Sequence, residues 1–234
     1  MVYDLVSGSG IDLLIQAYIA SAVLSAFAFL YLGKKWSDRV PMRYVIMHVF
    51  IVTWSGLMYL NFLDGFETVI SDYAWYMDWM ISTPLIVAAL GLTAYYTAES
   101  IDWSLIGALA GAQAMIPVAG LLAQSAETTA ASMTFYAFGF ALMLGVFYLI
   151  YVPVMNAARE NSSLIYQKYK LQGLYIIVLW LSYPTVWLLG SPGPLGTLGA
   201  AETSALFVVL PFLCKQAFGF LDLYFINELG KELE

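Results

Sequence analysis

An all-α membrane protein, built as a bundle of seven transmembrane helices, is the fold that the sequence predicts. Of its 234 residues, 62% are hydrophobic and only 11% are charged, against roughly 45–50% and about 25% in soluble domains. Several apolar stretches exceed the roughly 18 residues that indicate a membrane-crossing helix. They are too long and too uniformly apolar for barrel strands, and backbone inside lipid must satisfy its own hydrogen bonds. We therefore expect one domain, residues 1–234, that crosses a cell membrane several times and has the lipid bilayer as its partner.

Each of seven apolar segments is expected to form one helix, because turn-forming residues separate them. Gly, Asn, Ser and Pro, which favour turns, occur at 33–35, 161–163 and 190–194. The predicted helices, in chain order, are 11–32, 43–63, 73–95, 103–123, 132–152, 171–189 and 205–225.

Prolines interrupt four of these helices, at Pro84, Pro117, Pro184 and Pro211. Each removes a backbone donor and can kink its helix. Pro211 precedes Lys215 by four residues, so we expect it to free a carbonyl one turn back and to loosen the helix near that lysine.

The charged residues are distributed unequally between the two ends of the predicted bundle. One end carries the basic residues Lys34, Lys35, Arg39, Arg43, Arg159, Lys168, Lys170 and Lys231. The other end carries the acidic residues Asp4, Asp64, Glu67, Asp72, Glu127 and Glu202. Because basic residues accumulate on the cytoplasmic side, the sequence predicts an extracellular N-terminus and a cytoplasmic C-terminus.

Lys215 is the one basic residue in the middle of an apolar segment. A charge at the centre of a bilayer costs at least about 2.5–3.5 kcal/mol, so an intramembrane lysine indicates a function. Desolvated lysines lose their proton readily and often form Schiff bases with carbonyl compounds. Lys215 is therefore the first candidate functional residue.

Three further ionisable residues lie away from the ends of the apolar segments or share a face with Lys215: Asp78 in the third predicted helix, His48 in the second and Asp222 in the seventh. Asp222 follows Lys215 by seven residues, nearly two helical turns, so the two share a face and lie about 10 Å apart along the axis. The predicted order across the membrane is Asp78, then Lys215, then His48 with Asp222 towards the cytoplasm.

Each of these three residues also has a simpler explanation. Asp78 would be explained by a local hydrogen-bond cluster with Ser82 and Thr83. His48 would be explained as an ordinary interfacial histidine, and Asp222 as a solvated residue at the inner interface.

Aromatic residues recur at helical spacing in the third and sixth predicted helices. They are Trp75, Tyr76, Trp79, Trp180, Tyr183 and Trp187. Such residues are common in packing and in interfacial belts. Together with a central lysine and an aspartate, they would also suit a flat conjugated cation, because aromatic faces attract positive charge.

Two motifs resemble those of the microbial rhodopsins. Residues 75–85, WYMDWMISTPL, resemble the family's segment RYxDWxxTTPL, and residues 180–187, WLSYPTVW, match WxxYPxxW. Helix seven supplies Lys215 at the position of the retinal lysine, and the resemblance covers the whole chain. It implies all-trans retinal bound to Lys215 as a protonated Schiff base, with Asp78 as its counterion. It also implies a retinal pocket that includes Tyr76, Trp79, Ser82, Gly120, Met143, Trp180, Tyr183, Pro184, Trp187 and Pro211.

The chain departs from the outward proton pumps of that family at three positions. Trp75 replaces their arginine, Pro211 replaces their second helix-seven aspartate, and Ala89 replaces their cytoplasmic acidic donor. This pattern, together with His48 and Ser55 in helix two, is similar to that of the xenorhodopsins, which are associated with inward proton transport.

The resemblance therefore predicts a light-driven inward proton pump in which Asp78, His48 and Asp222 transfer protons. A photosensory rhodopsin signalling through a transducer is the alternative, because the cyanobacterial sensory type also has proline at the position of Pro211. A light-gated channel is the third, although these helices show few pore-lining carboxylates. We expect no enzymatic activity, no metal site and no nucleic-acid partner. The oligomeric state stays open, a homo-oligomer included.

Overall fold

The computed structural model describes residues 9–190 and 195–233 and shows seven helices that are long and apolar enough to cross a membrane. They are α1 Ser9–Lys35, α2 Met42–Leu60, α3 Ala74–Ala94, α4 Trp103–Ser125, α5 Thr129–Asn161, α6 Ser163–Leu189 and α7 Ala200–Leu233. The predicted all-α bundle is confirmed. Asp4 and residues 191–194 of the predicted turn at 190–194 lie outside the described residues, and the orientation of the termini stays a prediction.

The helices pack in chain order and close into a ring. Each helix contacts the next one along the chain, α7 returns to contact α1 and α2, and α3 also packs against α6. Helices α3 and α7 are therefore the most enclosed, whereas α1 and α4 bury the smallest share of their residues. The polar side chains Asp78 and Ser82 of α3 and Lys215 and Asp222 of α7 are accordingly buried in the protein.

Five helices are longer than predicted: α1 and α4 by a few residues, and α5, α6 and α7 by two turns or more. Helix α5 continues to Asn161 instead of ending at residue 152, and α6 begins at Ser163 instead of residue 171. Helix α7 runs from Ala200 to Leu233 and not only over 205–225. The apolar pattern marks only the part of a helix that lies in hydrocarbon, so polar turns beyond it were not counted.

The longer helices change the place of several basic residues. Lys168 and Lys170, expected around a loop, lie in the first two turns of α6. Lys34 and Lys35, expected in a turn, form the last turn of α1. Basic side chains near a helix C-terminus interact favourably with the helix dipole, which explains the position of this second pair.

Side chains cap the short connections between helices. Asp102 accepts a hydrogen bond from the backbone N–H of Leu105, 2.9 Å away, at the start of α4. Ser162, the single residue between α5 and α6, accepts one from the N–H of Leu164 at 3.2 Å. Such caps satisfy N–H groups that have no partner within the helix.

Helix α7 widens into a π-helical segment, Phe212–Ala217, directly after Pro211, and Lys215 lies within it. The carbonyl of Phe207, four residues before Pro211, accepts a hydrogen bond from the Tyr59 hydroxyl instead of a backbone N–H. The predicted freed carbonyl is therefore present, and a side chain of α2 satisfies it.

Candidate functional site

Lys215 lies in a buried polar cluster to which four helices contribute. Its Nζ forms an ion pair with Asp78 Oδ2 and donates a hydrogen bond to Ser55 Oγ at 2.9 Å. Ser55 Oγ also lies 2.9 Å from Asp78 Oδ2 and 2.5 Å from the hydroxyl oxygen of Tyr18. We call Lys215, Asp78, Ser55 and Tyr18 the Lys215 cluster; α7, α3, α2 and α1 supply one residue each.

The ion pair explains why a lysine is tolerated here. Lys215 is 1% exposed and Asp78 is 0% exposed, so neither charge is hydrated by bulk water. An unpaired charge at this depth would be strongly destabilising, whereas a hydrogen-bonded pair compensates much of the desolvation cost. Asp78 is therefore the group that balances the charge of Lys215.

A second buried cluster surrounds Asp222 on α7. His48 Nε2 lies 2.7 Å from Asp222 Oδ2. The other carboxylate oxygen, Oδ1, accepts hydrogen bonds from Gln172 Nε2 at 2.7 Å and from Thr93 Oγ1 at 3.1 Å. We call Asp222, His48, Gln172 and Thr93 the Asp222 cluster; α7, α2, α6 and α3 supply them.

The simpler explanations for the three ionisable residues do not hold in the structure. His48 and Asp222 are buried, so neither is an interfacial or solvated group. The hydroxyls of Ser82 and Thr83 donate to the backbone carbonyls of Asp78 and Trp79, both at 2.7 Å, and not to the Asp78 carboxylate.

An apolar layer separates the two clusters. His48 and Ser55 are seven residues apart on α2, as are Asp222 and Lys215 on α7, so the clusters lie about two turns, or ~10 Å, apart. Between them lies Phe218, which is fully buried, with its ring centre 6.0 Å from that of His48. A proton that moves between the clusters must therefore cross a short apolar barrier.

Beside the Lys215 cluster lies a cavity between α3, α4, α5 and α6, with Phe207 of α7 at its wall. The lining residues named in the sequence analysis are Tyr76, Trp79, Gly120, Met143, Trp180, Tyr183, Pro184 and Trp187. The residues that sequence reasoning missed are Thr83, Gln113, Ile116, Pro117, Ala123, Tyr136, Gly139, Phe140 and Phe207.

Two residues expected in the pocket do not line this cavity. Ser82 is buried, and its hydroxyl is used by the backbone of its own helix. Pro211 is also buried, but it acts on the backbone of α7, where the π-helical segment begins. Lys215 itself is not a lining residue; it lies behind the wall, bonded to Asp78, the residue before Trp79.

The cavity fits a flat and largely apolar molecule. The ring of Trp79 stands edge-on to that of Tyr183 at 5.2 Å, and Trp187 stacks on Tyr136 at 5.2 Å. Gly120 leaves space that a larger residue would fill, because a Cβ there would lie 3.0 Å from Cε1 of Tyr76. These walls suit the hydrocarbon chain of retinal, and a buried lysine close to them suits its attachment.

The family model described as "Bacteriorhodopsin-like protein" matches residues 9–229. The chain belongs to this family. Its members bind retinal and are light-driven transporters or photoreceptors rather than enzymes, so the protein is a multi-pass membrane protein of this kind.

Individual members of the family differ in function. The chain is 27% identical to archaerhodopsin-3 of Halorubrum sodomense over 85% of this chain and 78% of that protein. It is 30% identical to sensory rhodopsin-2 of Haloarcula vallismortis over 93% of this chain and 89% of that protein. A solved structure described as that of the inward H⁺ pump xenorhodopsin has a TM-score of 0.90 and 47% identity, covering 97% of this chain and 99% of that one. The resemblance to microbial rhodopsins, and among them to xenorhodopsins, is confirmed.

Trp75, at the position where the resemblance implies an arginine in outward pumps, is 3% exposed. Its ring packs against Phe62 at 5.3 Å and against Phe207 at 4.9 Å. Among the described residues, Lys215 is thus the one cation that pairs with Asp78. The aromatic packing of Trp75 against Phe62 and Phe207 therefore occupies a position at which an arginine would add a second positive charge.

Three polar residues of this rhodopsin's clusters were missed by the sequence analysis: Tyr18, Thr93 and Gln172. Gln172 carried a usable signal, because an amide in an apolar segment needs a buried partner. Tyr18 and Thr93 carried none, since tyrosine is common near membrane interfaces and threonine can bond to its own helix, as Thr93 does with the Ala89 carbonyl at 3.2 Å.

Proposed function

We propose that the protein is a light-driven inward proton pump with retinal bound to Lys215 as a protonated Schiff base. The observation that carries the proposal is the pair of buried clusters, of which one holds the Lys215–Asp78 ion pair and the other holds a histidine–carboxylate pair. The 47% identity to an inward H⁺ pump supports it.

Bound retinal supplies absorption of visible light and an isomerisation that changes the surroundings of the Lys215 nitrogen. Asp78 balances the positive charge on that nitrogen in the dark, through Oδ2. Coulomb attraction at contact is about 4 kcal/mol at an effective dielectric of 20, enough to hold the proton on Lys215 Nζ. Trp79, Trp180 and Tyr183, which line the cavity, would hold and orient the chromophore.

In this proposal the Asp222 cluster accepts the proton that leaves Lys215 Nζ in the light. His48 and Asp222 are close enough to share one proton, and two strongly interacting groups gain and lose protons as a unit. Histidine is the side chain best suited to this near neutral pH. Gln172 and Thr93 keep the Asp222 carboxylate directed towards His48 through its second oxygen.

Release of that proton to the cytoplasm follows from the predicted orientation, in which the Asp222 cluster is the one nearer the basic end of the bundle. Lys215 Nζ is then reprotonated from the opposite side, past Asp78 and the aromatic packing around Trp75. The net result is one proton moved inward for each cycle.

The test is the sign of the light-induced pH change in cells suspended in weakly buffered medium. We expect the medium to become alkaline, and a protonophore to abolish the signal. Cells that make the Lys215→Ala variant are the control and should show no response. A reporter fused to the C-terminus fixes the orientation in the same cells. Acidification of the medium by a protein with a cytoplasmic C-terminus would refute the direction.

A photosensory role is the second candidate, because the chain is 30% identical to sensory rhodopsin-2. A sensor signals through another protein and needs little net transport. Purified protein in liposomes separates the two functions: sustained proton movement under continuous light supports the pump, and a photocycle without net movement supports the sensor.

A further inference from the structure

Ser55 Oγ has three hydrogen-bonding neighbours, and the number of available protons fixes the direction of every bond. A serine hydroxyl has one proton to donate and two lone pairs that accept. Lys215 Nζ can only donate, so its bond of 2.9 Å uses one lone pair of Ser55. The ionised Asp78 carboxylate can only accept, so the bond of 2.9 Å to Oδ2 uses the proton of Ser55. The remaining contact, 2.5 Å to Tyr18, must therefore be donated by the Tyr18 hydroxyl.

We infer that Tyr18 is a positioning residue that acts on Asp78 through Ser55, as the first donor of a chain that runs from Tyr18 to Ser55 to Asp78. The chain stabilises the carboxylate of Asp78 as an anion and so makes it a poor acceptor for the proton that leaves Lys215. The proton is then directed to the Asp222 cluster. The effect on the direction of the proton rests on the proposed inward transport. The hydrogen-bond chain from Tyr18 to Asp78 does not depend on it.

The surroundings of Tyr18 hold its hydroxyl in place. Tyr18 is 3% exposed, and its ring lies 4.2 Å from that of Tyr59. The backbone carbonyl of Tyr18 accepts a hydrogen bond from Ser21 Oγ at 2.6 Å. Buried hydrogen bonds in series polarise one another, so a donor two bonds away from a carboxylate still affects it.

Asp78 needs such support because its hydrogen bonds are one-sided. Oδ2 receives both Lys215 and Ser55, whereas Oδ1 is buried and has no hydrogen-bond partner among the described residues. Oδ2 is therefore the oxygen to which Lys215 could pass its proton directly, and it is also the oxygen to which Ser55 donates. The titratable groups of the neighbouring helices that face Asp78 are Lys215 of α7, Tyr18 of α1 and Tyr59 of α2. Tyr59 bonds to the Phe207 carbonyl, which leaves Tyr18 as the tyrosine linked to the carboxylate.

A double-mutant cycle tests the chain in the retinal-bound protein, with Tyr18→Phe, Ser55→Ala and the two combined. The first readout is the dark absorption maximum, which depends on how strongly Asp78 attracts the cation. Each single variant should shift it to shorter wavelength, because an anion with fewer donors interacts more strongly with the cation. Tyr18→Phe should add no further shift in the Ser55→Ala background. Additive shifts, or no shift in Tyr18→Phe, would overturn the inference.

The second readout is the infrared band of a protonated carboxylic acid during the photocycle. Loss of one ordinary hydrogen bond changes an equilibrium by about fivefold. Tyr18→Phe should therefore raise the ratio of protonated Asp78 to protonated Asp222 cluster by about that factor and lower inward transport per absorbed photon. A variant in which Asp78 stays unprotonated and transport is unchanged would overturn the directing role.

Tyr169→Phe is the matched control, because it also removes a buried tyrosine hydroxyl, in this case one that donates to the Ile150 carbonyl at 2.8 Å. It should alter neither readout. If Tyr18→Phe does not fold, infrared spectra of the unaltered protein with deuterated tyrosine are used instead of the variant. The tyrosine O–H band should then change together with the Asp78 carboxylate band on illumination, and independent changes would count against the chain. If the protein does not pump inward, the proposed function is wrong. The absorption maxima of the double-mutant cycle still test the hydrogen-bond chain from Tyr18 to Asp78.

Discussion

The two buried clusters contain similar groups but satisfy their carboxylates in different ways. In the Lys215 cluster, Asp78 pairs with the cationic nitrogen of Lys215, and one of its oxygens has no hydrogen-bond partner among the described residues. In the Asp222 cluster, both oxygens are bonded, to His48 on one side and to Gln172 and Thr93 on the other, without a fixed positive charge.

The difference indicates that the two clusters have different functions. A carboxylate paired with an ammonium in a low-dielectric site has a strong preference for one charge state. A carboxylate paired with a histidine lies beside a side chain that can itself accept a proton and donate it again through its ring nitrogens. The first cluster is suited to hold a charge, and the second to exchange a proton. Four predictions break or sharpen this comparison.

The largest effect is expected from Lys215→Ala. Without Lys215 Nζ there is no attachment point for retinal, so added all-trans retinal should give no visible pigment. Asp78 is left buried without a cation, which should lower the free energy of unfolding by about 3–5 kcal/mol. Adding Asp78→Asn should recover much of that stability. Lys170→Ala, at an exposed lysine of α6, should keep normal pigment. A borohydride-reducible visible adduct in Lys215→Ala would disprove the attachment site.

Asp78→Asn should have the next largest effect, because it keeps the shape of the side chain and removes the charge. The loss of about 4 kcal/mol of attraction at an effective dielectric of 20 should move the dark absorption band to longer wavelength or leave the Lys215 nitrogen unprotonated near neutral pH. Asp102→Asn keeps the cap of α4 and serves as the control, with no spectral change. An unchanged spectrum in Asp78→Asn would count decisively against the counterion role.

His48→Ala and Asp222→Asn should separate transport from colour. Loss of an acid–base partner typically slows a proton transfer by about 10²-fold, so transport should fall sharply in both variants. The dark band should stay almost unchanged, since the pair lies about 10 Å along α7 from Lys215. Glu228→Gln removes only the surface ion pair with Lys231, 2.7 Å, and should transport normally. Normal transport in both cluster variants would remove the pair from the pathway.

The smallest effect is expected from Thr93→Val, which removes one of the two donors to Asp222 Oδ1. A hydrogen bond to a charged group is worth about 1.5–3 kcal/mol, and Gln172 remains as the second donor. Transport should therefore slow less than in Asp222→Asn, as flash-induced proton release will measure. Thr134→Val removes the same kind of bond to its own helix, 2.8 Å, without a carboxylate partner, and should have no effect. An equal loss in both variants would mean that Thr93 acts only on its helix.

Part of the candidate site could be predicted from the sequences of single helices. Lys215 was identified as a functional residue because its charge interrupts an apolar segment. Asp222 was placed on the same face of the helix because seven residues are nearly two turns. The freed carbonyl before Pro211 was also predictable, since proline lacks an N–H. Each of these inferences uses only the local geometry of a helix, which the chain repeats wherever a helix forms.

Other parts required the packed bundle. The sequence does not say that the hydroxyl of Tyr59 would satisfy the carbonyl of Phe207, or that Gln172 would reach Asp222 from α6. The resemblance placed Pro211 in the pocket; in the structure it does not line the cavity, and the π-helical segment of α7 begins directly after it. Such contacts depend on how each helix is rotated and tilted against its neighbours, and that is set by the sum of many side-chain contacts.

By itself the sequence determined that seven apolar segments are helices in a membrane, that Lys215 is the charge to explain, and that Asp222 shares its face. Those properties follow from local periodicity and from the cost of exposing charge to hydrocarbon. Only the tertiary structure decided which side chains meet across helices: Tyr18 at Ser55, and Thr93 and Gln172 at Asp222. The reason is that a hydrogen bond between helices needs two rotations and a depth to agree within a few tenths of an ångström, and no local pattern encodes that agreement.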